Sequence, residues 1–560
     1  MNRSFRSALL VPVLLASIIP QLHAGPKGCP RITVVVIIDQ LAYEYLPKLK
    51  CYLRHGLRFF LDRSVEFKNA YYPHGMPSTS TGHTALNTGT YADTHGIIGN
   101  RWYDITGKVV RSDQDDSDDA GVFSPDGGTY KYGKSGRNIL VDGISDQFVL
   151  KSTPCKQKRA YSVSLKSRAS VATANKLGKA IWFDEHSGNF TSSKAYFDEL
   201  PCWLKNFNKR KNLAGLSQIP WPLAYPCKEK PYCFYEIDNY KYSSLKKPLA
   251  GTTITLNHKG KDPFALFEIT PYANQVVFNL AHAVVQDHAC NHKCDDLLLW
   301  VCLSSLDKLG HLFGPDSKEV IDMIYHLDKQ LMCFMDSIKK LIHNRDILWV
   351  VTSDHGVCPI PEIMKDQGIP GAGRVRSDLL IDEMNGMAKE QFEVEGLIAK
   401  AKTPALFLNY EKLNGLKIEQ QNQVINNFTS YLMQQPGIKA VWTYDQLVNL
   451  NVLPTDHAYF FKRQLYPGRS GQIIIQTQPY VQLTDHDTGT SHCTPYEYDT
   501  HVPLMFYQRN VFEERVIEQK VWTLQLANTL AYLLGTNKPT ASTMDILPGI
   551  ILTDCIPSCG

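Results

Sequence analysis

Three apolar runs in this chain each lead into an aspartate. Ile32-Thr33-Val34-Val35-Val36-Ile37-Ile38 precedes Asp39, the run from Leu297 to Leu306 precedes Asp307, and Ile347-Leu348-Trp349-Val350-Val351-Thr352-Ser353 precedes Asp354 and His355. Runs of this length, rich in β-branched residues, predict strands buried on both faces, as in a parallel sheet. Ligands of open α/β sheets bind beyond the carboxyl ends of the strands. Three carboxylates brought to one edge repel one another unless a cation sits among them. An α/β fold with a metal site at that edge is the expectation.

The rest of the chain narrows the setting. A formal charge of +4 over 560 residues is close to neutral and gives no reason to expect a nucleic acid partner. Residues 1–24 predict a signal peptide: Arg3 and Arg6 are followed by a mostly apolar stretch from Ala8 to Leu22, and Leu22-His23-Ala24 offers a cleavage site. Pro12, Pro20 and the short length argue against a permanent membrane helix, and no later run is long enough to span a bilayer. A periplasmic or secreted protein is expected. All 14 cysteines lie beyond residue 24, so the pairs Cys227/Cys233, Cys290/Cys294 and Cys555/Cys559 are candidate disulfides. His288, Cys290, His292 and Cys294 also read as a metal cluster, with a disulfide preferred in an oxidising compartment.

Between the apolar runs, Ser112 to Lys134 and Tyr225 to Tyr242 read as loops. Gly314-Pro315-Asp316-Ser317 offers a helix start before Lys318 to His343, within which Val320, Ile321, Ile324, Leu327, Leu331 and Met335 recur at helical spacing and predict a core-facing stripe. Residues 25–560 are read as one catalytic domain, with insertions at about 105–285 and 359–485.

Asp307 is followed four residues on by His311, and His355 adjoins Asp354; carboxylate and imidazole are ligands that zinc favours. A further histidine is needed, and spacing does not separate His486, His492 and His501. Pro77-Ser78-Thr79-Ser80-Thr81-Gly82-His83 predicts a turn entering a short helix, where a hydroxyl would sit near anion-favouring N–H groups. The bland alternative is an N-cap without chemistry, and composition does not separate the four hydroxyl residues.

These segments resemble the alkaline phosphatase superfamily, most closely its monomeric, PafA-type bacterial branch and the related nucleotide pyrophosphatase/phosphodiesterases. The likeness runs through Thr79-Ser-Thr-Gly-His83, His95-Gly-Ile-Ile-Gly-Asn100, Val163-Ser-Leu-Lys166-Ser-Arg168, Ile181-Trp-Phe-Asp184, Asp307-Lys-Leu-Gly-His311, Ser353-Asp354-His355-Gly356 and Gly489-Thr-Ser-His492. The resemblance implies an alkaline-phosphatase-like fold, mostly a parallel central sheet flanked by helices. It implies Thr79 as nucleophile, because the family's nucleophile lies four residues before the histidine and 21 before the asparagine. It implies two Zn²⁺ per chain, one on Asp307, His311 and His492, the other on Asp39, Asp354 and His355 with Thr79 as its reactive ligand. Asn100 would contact phosphate, and Lys166 with Arg168 resembles the pair that marks the phosphomonoesterase branch. The implied reaction is hydrolysis of small phosphate monoesters by a monomer through a phosphothreonine, with diester or pyrophosphate cleavage as the alternative. No Cys/Ser-x-Pro-Ser-Arg segment lies near Thr79, which disfavours a sulfatase, and the presence of every expected ligand type disfavours a non-catalytic binding protein. Two departures stand out: Cys493 occupies a position where glycine is common, and Ala169 to Lys179 lacks a glycine-histidine before the Trp-Phe-Asp.

Overall fold

A computed structural model describes residues 30–225, 230–232, 239–257, 259, 262–342, 346–402 and 404–550. The expected signal segment and the pairs Cys227/Cys233 and Cys555/Cys559 lie outside the described residues. The central element is a nine-stranded sheet. Its strands in chain order are β1 (Ile32–Ile38), β2 (Val65–Phe67), β3 (Lys158–Ser164), β4 (Lys179–Asp184), β5 (Asn189–Thr191), β6 (Asp296–Leu303), β7 (Ile347–Thr352), β8 (Leu504–Tyr507) and β9 (Arg515–Ile517). Across the sheet they lie in the order β5-β4-β3-β6-β1-β7-β8-β2-β9. From β4 to β7 every neighbouring pair is parallel. Antiparallel pairing enters with β5 at one side and β8 at the other.

Burial of both faces explains the apolar runs. Every residue of β1, β6 and β7 is buried. Val34, Val36, Leu299 and Val301 point into one core, while Val35, Ile37, Leu298 and Trp300 point into the other, as a period of two requires. Each such side chain contributes about 1.5–3 kcal/mol when withdrawn from water. Five helices matter for the site: α1 (Thr79–Thr88), α2 (Ser167–Ala174), α3 (Pro271–Asn291), α4 (Ser305–Phe313) and α5 (Lys318–Lys339). In α5 the expected stripe from Val320 to Met335 is buried, and Ser317 Oγ accepts the Val320 N–H at 3.2 Å. It packs beside α3 against the first core. The Ala85 and Leu86 side chains of α1 pack into the second.

A separate four-stranded sheet, Ile398–Lys402, Ala405–Leu408, Ile473–Thr477 and Ile438–Thr443, carries its own hydrophobic cluster with the helices Ser377–Phe392 and Ile418–Met433. Where this excursion starts and ends, Gly373–Arg376 pairs in parallel with Val481–Thr484 as a two-stranded sheet of its own, and His492 follows before the chain re-enters the main sheet at β8.

The structure corrects three expectations. The run from Leu297 to Leu306 is not all strand: β6 stops at Leu303, Ser304 turns into helical backbone, and Asp307 lies in the first turn of α4. Ser112 to Lys134 is not an open loop, since Gly121–Phe123 and Thr129–Gly133 pair as a hairpin. Cys290 and Cys294 are exposed and unbonded, and His288 and His292 belong to no metal-competent cluster among the described residues.

Candidate active site

Strand register assembles the site. Ile38 stands opposite Leu303 on one side of β1, and Ile37 opposite Thr352 on the other, so the three central strands end level. Asp39 follows β1 at once, and Asp354 follows β7 by two residues. Asp307 and His311 are one turn apart on α4 and share a face. The chain after β7 is pinned by Ser353, whose Oγ accepts the Leu41 N–H at 3.0 Å and donates to His355 O at 2.8 Å.

The three histidines of the expected ligand set share one arrangement. His311 Nδ1 lies 2.8 Å from Thr490 O, His355 Nδ1 2.9 Å from Gly356 O, and His492 Nδ1 2.8 Å from Pro77 O. A carbonyl only accepts, so each Nδ1 carries a proton, and in the neutral imidazole each Nε2 then presents a lone pair, as metal-binding imidazoles require. His355 Nε2 lies 3.4 Å from Asp39 Oδ1 and 3.5 Å from Asp354 Oδ2. His311 Nε2 lies 3.2 Å, and His492 Nε2 3.8 Å, from Asp307 Oδ1. The two groups touch through the stacked His355 and His492 rings, whose centroids are 3.7 Å apart. Asp307 stands between them, its carboxylate within 4.8 Å of the donor atoms of Asp39 and His355 as well. His501 is drawn elsewhere, between Tyr43 and Tyr71 with Nε2 on Lys68 O, and His486 is exposed.

These residues fit a divalent metal. Asp39 Oδ1, Asp354 Oδ2 and His355 Nε2 are buried and have no hydrogen-bond partner. Both carboxylates approach His355 Nε2, but the set whose donor atoms all lie within 4.8 Å of one another is Asp39, Asp307 and His355, with Asp354 outside it. Buried acceptors left without a donor, as at Asp39 Oδ1 and His355 Nε2, are costly, and a cation bound by oxygen and nitrogen removes the cost. Burial, then the negative charges of Asp307 and Asp354, push the Asp39 carboxyl up to about 7. Asp307 goes the other way: burial would raise it, but Lys166 and His311 outweigh burial and hold it well below the usual range.

One cation is already among the carboxylates. Lys166, in the turn between β3 and α2, places its buried Nζ 2.5 Å from Asp39 Oδ2, against Asp307 Oδ2 and 3.4 Å from Thr79 Oγ1. A single ammonium does not balance three aspartates, which accords with the raised Asp39 carboxyl. Arg168, on the first turn of α2, has a buried Nε without a partner. With Asn100 and Lys166 it lines a cleft of about 680 Å³.

The hydroxyls around Thr79 differ in their contacts. Thr79 opens α1 and is buried. Ser78 Oγ pairs with Thr81 Oγ1 at 3.0 Å, and Ser80 Oγ with Ser112 Oγ at 2.7 Å. Thr79 Oγ1 is the one of the four that meets Lys166. Asn100 Oδ1 accepts the Ser80 N–H at 2.9 Å, which ties the cleft wall to the start of α1.

Three residues take supporting roles that the sequence does not assign: Gln40, which it does not single out, and Gly82 and His83, which read only as part of the segment around Thr79. Gln40 joins the two ligand groups: its N–H donates to Asp354 Oδ1 at 3.2 Å and its Nε2 to Asp307 Oδ1 at 2.9 Å. It does so from a left-handed backbone, φ 71°, two residues beyond the end of β1. His83 Nδ1 bonds to Thr79 O at 2.9 Å and lies 3.1 Å from Asp354 Oδ2. Gly82 lets α1 approach Asp354: a Cβ there would sit 2.9 Å from the Asp354 Cβ and closer still to its carbonyl oxygen. Gly82→Ala is therefore expected to cost about 1–3 kcal/mol by overpacking and to lower turnover as Asp354 is displaced. Denaturant unfolding and an ester hydrolysis assay check this, and a wild-type result in both would reject the close contact. The unusual Cys493 adopts φ 90°, the left-handed region that glycine enters freely, so the His492 turn is kept despite the side chain.

Residues 33–502 match the sequence profile described as type I phosphodiesterase / nucleotide pyrophosphatase. The chain is 28% identical over 534 residues to alkaline phosphatase PafA of Elizabethkingia meningoseptica, covering 93% of this chain and 94% of that protein. It is 25% identical over 562 residues to alkaline phosphatase PhoV of Synechococcus elongatus, covering 96% and 94%. The crystal structure of wild-type alkaline phosphatase PafA superposes with a TM-score of 0.81 at 25% identity, over 93% of this chain and 98% of that one.

Proposed function

Since the chain belongs to the type I phosphodiesterase / nucleotide pyrophosphatase family and is a phosphoric ester hydrolase, we propose that it hydrolyses phosphate monoesters through a phosphothreonine at Thr79, with two zinc ions. Asp39, Asp354 and His355 would hold one ion beside Thr79 Oγ; Asp307, His311 and His492 would hold the other. When bound, the ions supply positive charge that favours the threonine alkoxide and offsets charge on the departing oxygen. Thr79 Oγ attacks phosphorus in line; the ester P–O bond breaks, and its electron pair leaves with the alcohol oxygen, which takes a proton. Water then attacks phosphorus and gives up a proton, the Thr79 Oγ–P bond breaks with its electron pair left on Oγ, Thr79 takes a proton to regain its hydroxyl, and inorganic phosphate departs. Asn100 commits its Oδ1 to Ser80 and keeps its amide N–H groups for a non-bridging oxygen.

The observation that carries the monoester reading is the Lys166 ammonium 3.4 Å from Thr79 Oγ1, with Arg168 on the same cleft. Two cations match a monoester dianion better than a diester monoanion. The test compares nitrophenyl phosphate with the matching nitrophenyl diester on zinc-loaded protein. A large monoester preference is expected, and a diester preference would hand the site to the phosphodiesterase reading. The protein is further proposed to act as a periplasmic or secreted monomer on small-molecule esters. No helix among the described residues is long and apolar enough to cross a membrane.

Zinc binding should weaken as pH falls. The Asp39 carboxyl, raised to about 7 chiefly by burial, must lose its proton before it can hold metal. Below that pH one proton is displaced per ion bound there, so affinity should fall roughly tenfold per pH unit. Chelator competition between pH 5.5 and 8 measures this, and a flat profile would exclude Asp39 from the ligand set.

A further inference from the structure

We propose that Arg101 and Arg111 form a second phosphate subsite at the cleft, so that the preferred substrates are phosphate monoesters carrying another phosphate on the leaving group. This rests on the monoesterase reading above.

The two arginines are cross-strand partners. Arg101–Tyr103 pairs antiparallel with Val109–Arg111, and Arg101 stands directly opposite Arg111. Residues directly opposite share a face, and like charges placed so destabilise the pair. Trp102 fills the other face and is buried, which leaves both arginines exposed, and both line the cleft that holds Asn100, Lys166 and Arg168. Neither guanidinium makes an ion pair among the described residues.

The acids of the same cleft are already engaged. Asp113 accepts from Lys134 and Ser167 at 2.7 and 2.6 Å. Asp116 is paired with Lys108 at 3.3 Å and accepts from Gln114 at 2.9 Å. Asp184 accepts from Tyr130 at 2.8 Å and from Ser187 at 2.5 Å, and Glu185 is 3.5 Å from Lys308. The opposed arginines are what remains to meet a ligand, and their chemistry selects an anion with several acceptor oxygens.

The pair is also held in a set relation to the nucleophile. Asn100, next to Arg101, accepts the Ser80 N–H, and Ser112, next to Arg111, shares a hydrogen bond with Ser80 Oγ. Ser112 N–H further donates to Asn100 O at 3.1 Å, closing the base of the hairpin. Both arginines are thus one residue from a contact to the neighbour of Thr79. A phosphate bound there and a phosphate at Thr79 would be two ends of one rigid track, which lowers the ordering cost for a ligand that spans it.

The experiment compares kcat/KM for fructose 1,6-bisphosphate and fructose 6-phosphate in the wild type and in an Arg101→Gln/Arg111→Gln variant. A wild-type preference of about tenfold at low salt is expected, eroding at high salt because the contacts are exposed. In the double variant the ratio should fall to near one. A wild-type ratio near one, or a ratio the variant leaves unchanged, overturns the subsite; a misfolded variant that loses both activities in proportion counts as unchanged. Calorimetric binding of fructose 1,6-bisphosphate to Thr79→Ala, with and without the arginine changes, reads the subsite without turnover, and equal affinities there also overturn it. Failure of the monoesterase reading looks different, because then neither fructose 6-phosphate nor nitrophenyl phosphate is hydrolysed by the wild type.

Discussion

Thr79→Ala is expected to reduce phosphate monoester turnover by roughly 10⁴-fold or more, the scale on which removal of a covalent nucleophile acts in a preassembled site. The side chain is buried at the first position of α1, and its hydroxyl is the one of four neighbours that meets Lys166 instead of a second hydroxyl. The change removes one hydroxyl and one methyl and leaves the Asp39, Asp354 and His355 donors in place, so zinc content should stay close to wild type. Metal analysis of the same preparation separates the two effects. Near-normal turnover would end the nucleophile assignment, while lost turnover with lost zinc would mean that Thr79 serves the metal site before it serves chemistry.

Lys166→Ala should lower kcat/KM for a monoester by about 10²–10³-fold, as when one preorganised charge-stabilising donor is removed, and for a diester by much less. The ammonium is buried and divided among Asp39, Asp307 and Thr79. Removing it takes a positive charge away from the proposed ligands, so zinc should be held at least as tightly as before, which distinguishes a lost substrate contact from a collapsed centre. Lys166→Met, of similar volume, controls for packing. Equal losses on both esters would remove the basis for choosing monoesterase over diesterase.

Asp39, Asp354 and His355 were legible because buried parallel strands write themselves as apolar runs, and the residues at the carboxyl end of such a run land at the sheet edge. Asp307 was legible as a candidate but misread in place: Ser304-Ser305-Leu306 extends an apolar run in sequence while turning into helix in space. His492 was not separable from His486 and His501 by spacing. Family likeness pointed to it, and the geometry shows its ring against His355 while His501 stacks between tyrosines. The role of Gln40, and the reason for glycine at 82, were not legible for a physical reason: one lies in a backbone angle and the other in a close approach to Asp354, a residue distant in the chain. The hairpin inside Ser112 to Lys134 escaped because strands of three and five residues are too short to show alternation above their Asp and Gly content.

The proposed ligands come from residue 39 at one extreme and residue 492 at the other, and they meet only because central strands from distant parts of the chain end level. During synthesis, therefore, no nascent fragment ending before His492 can complete the Asp307 and His311 group. Loading of the ion proposed at Asp307, His311 and His492 would follow release of nearly the whole chain, whereas the group proposed around Asp39, Asp354 and His355 is complete by residue 355, and a truncation that stops short of His492 would remove one proposed ligand from the later site alone.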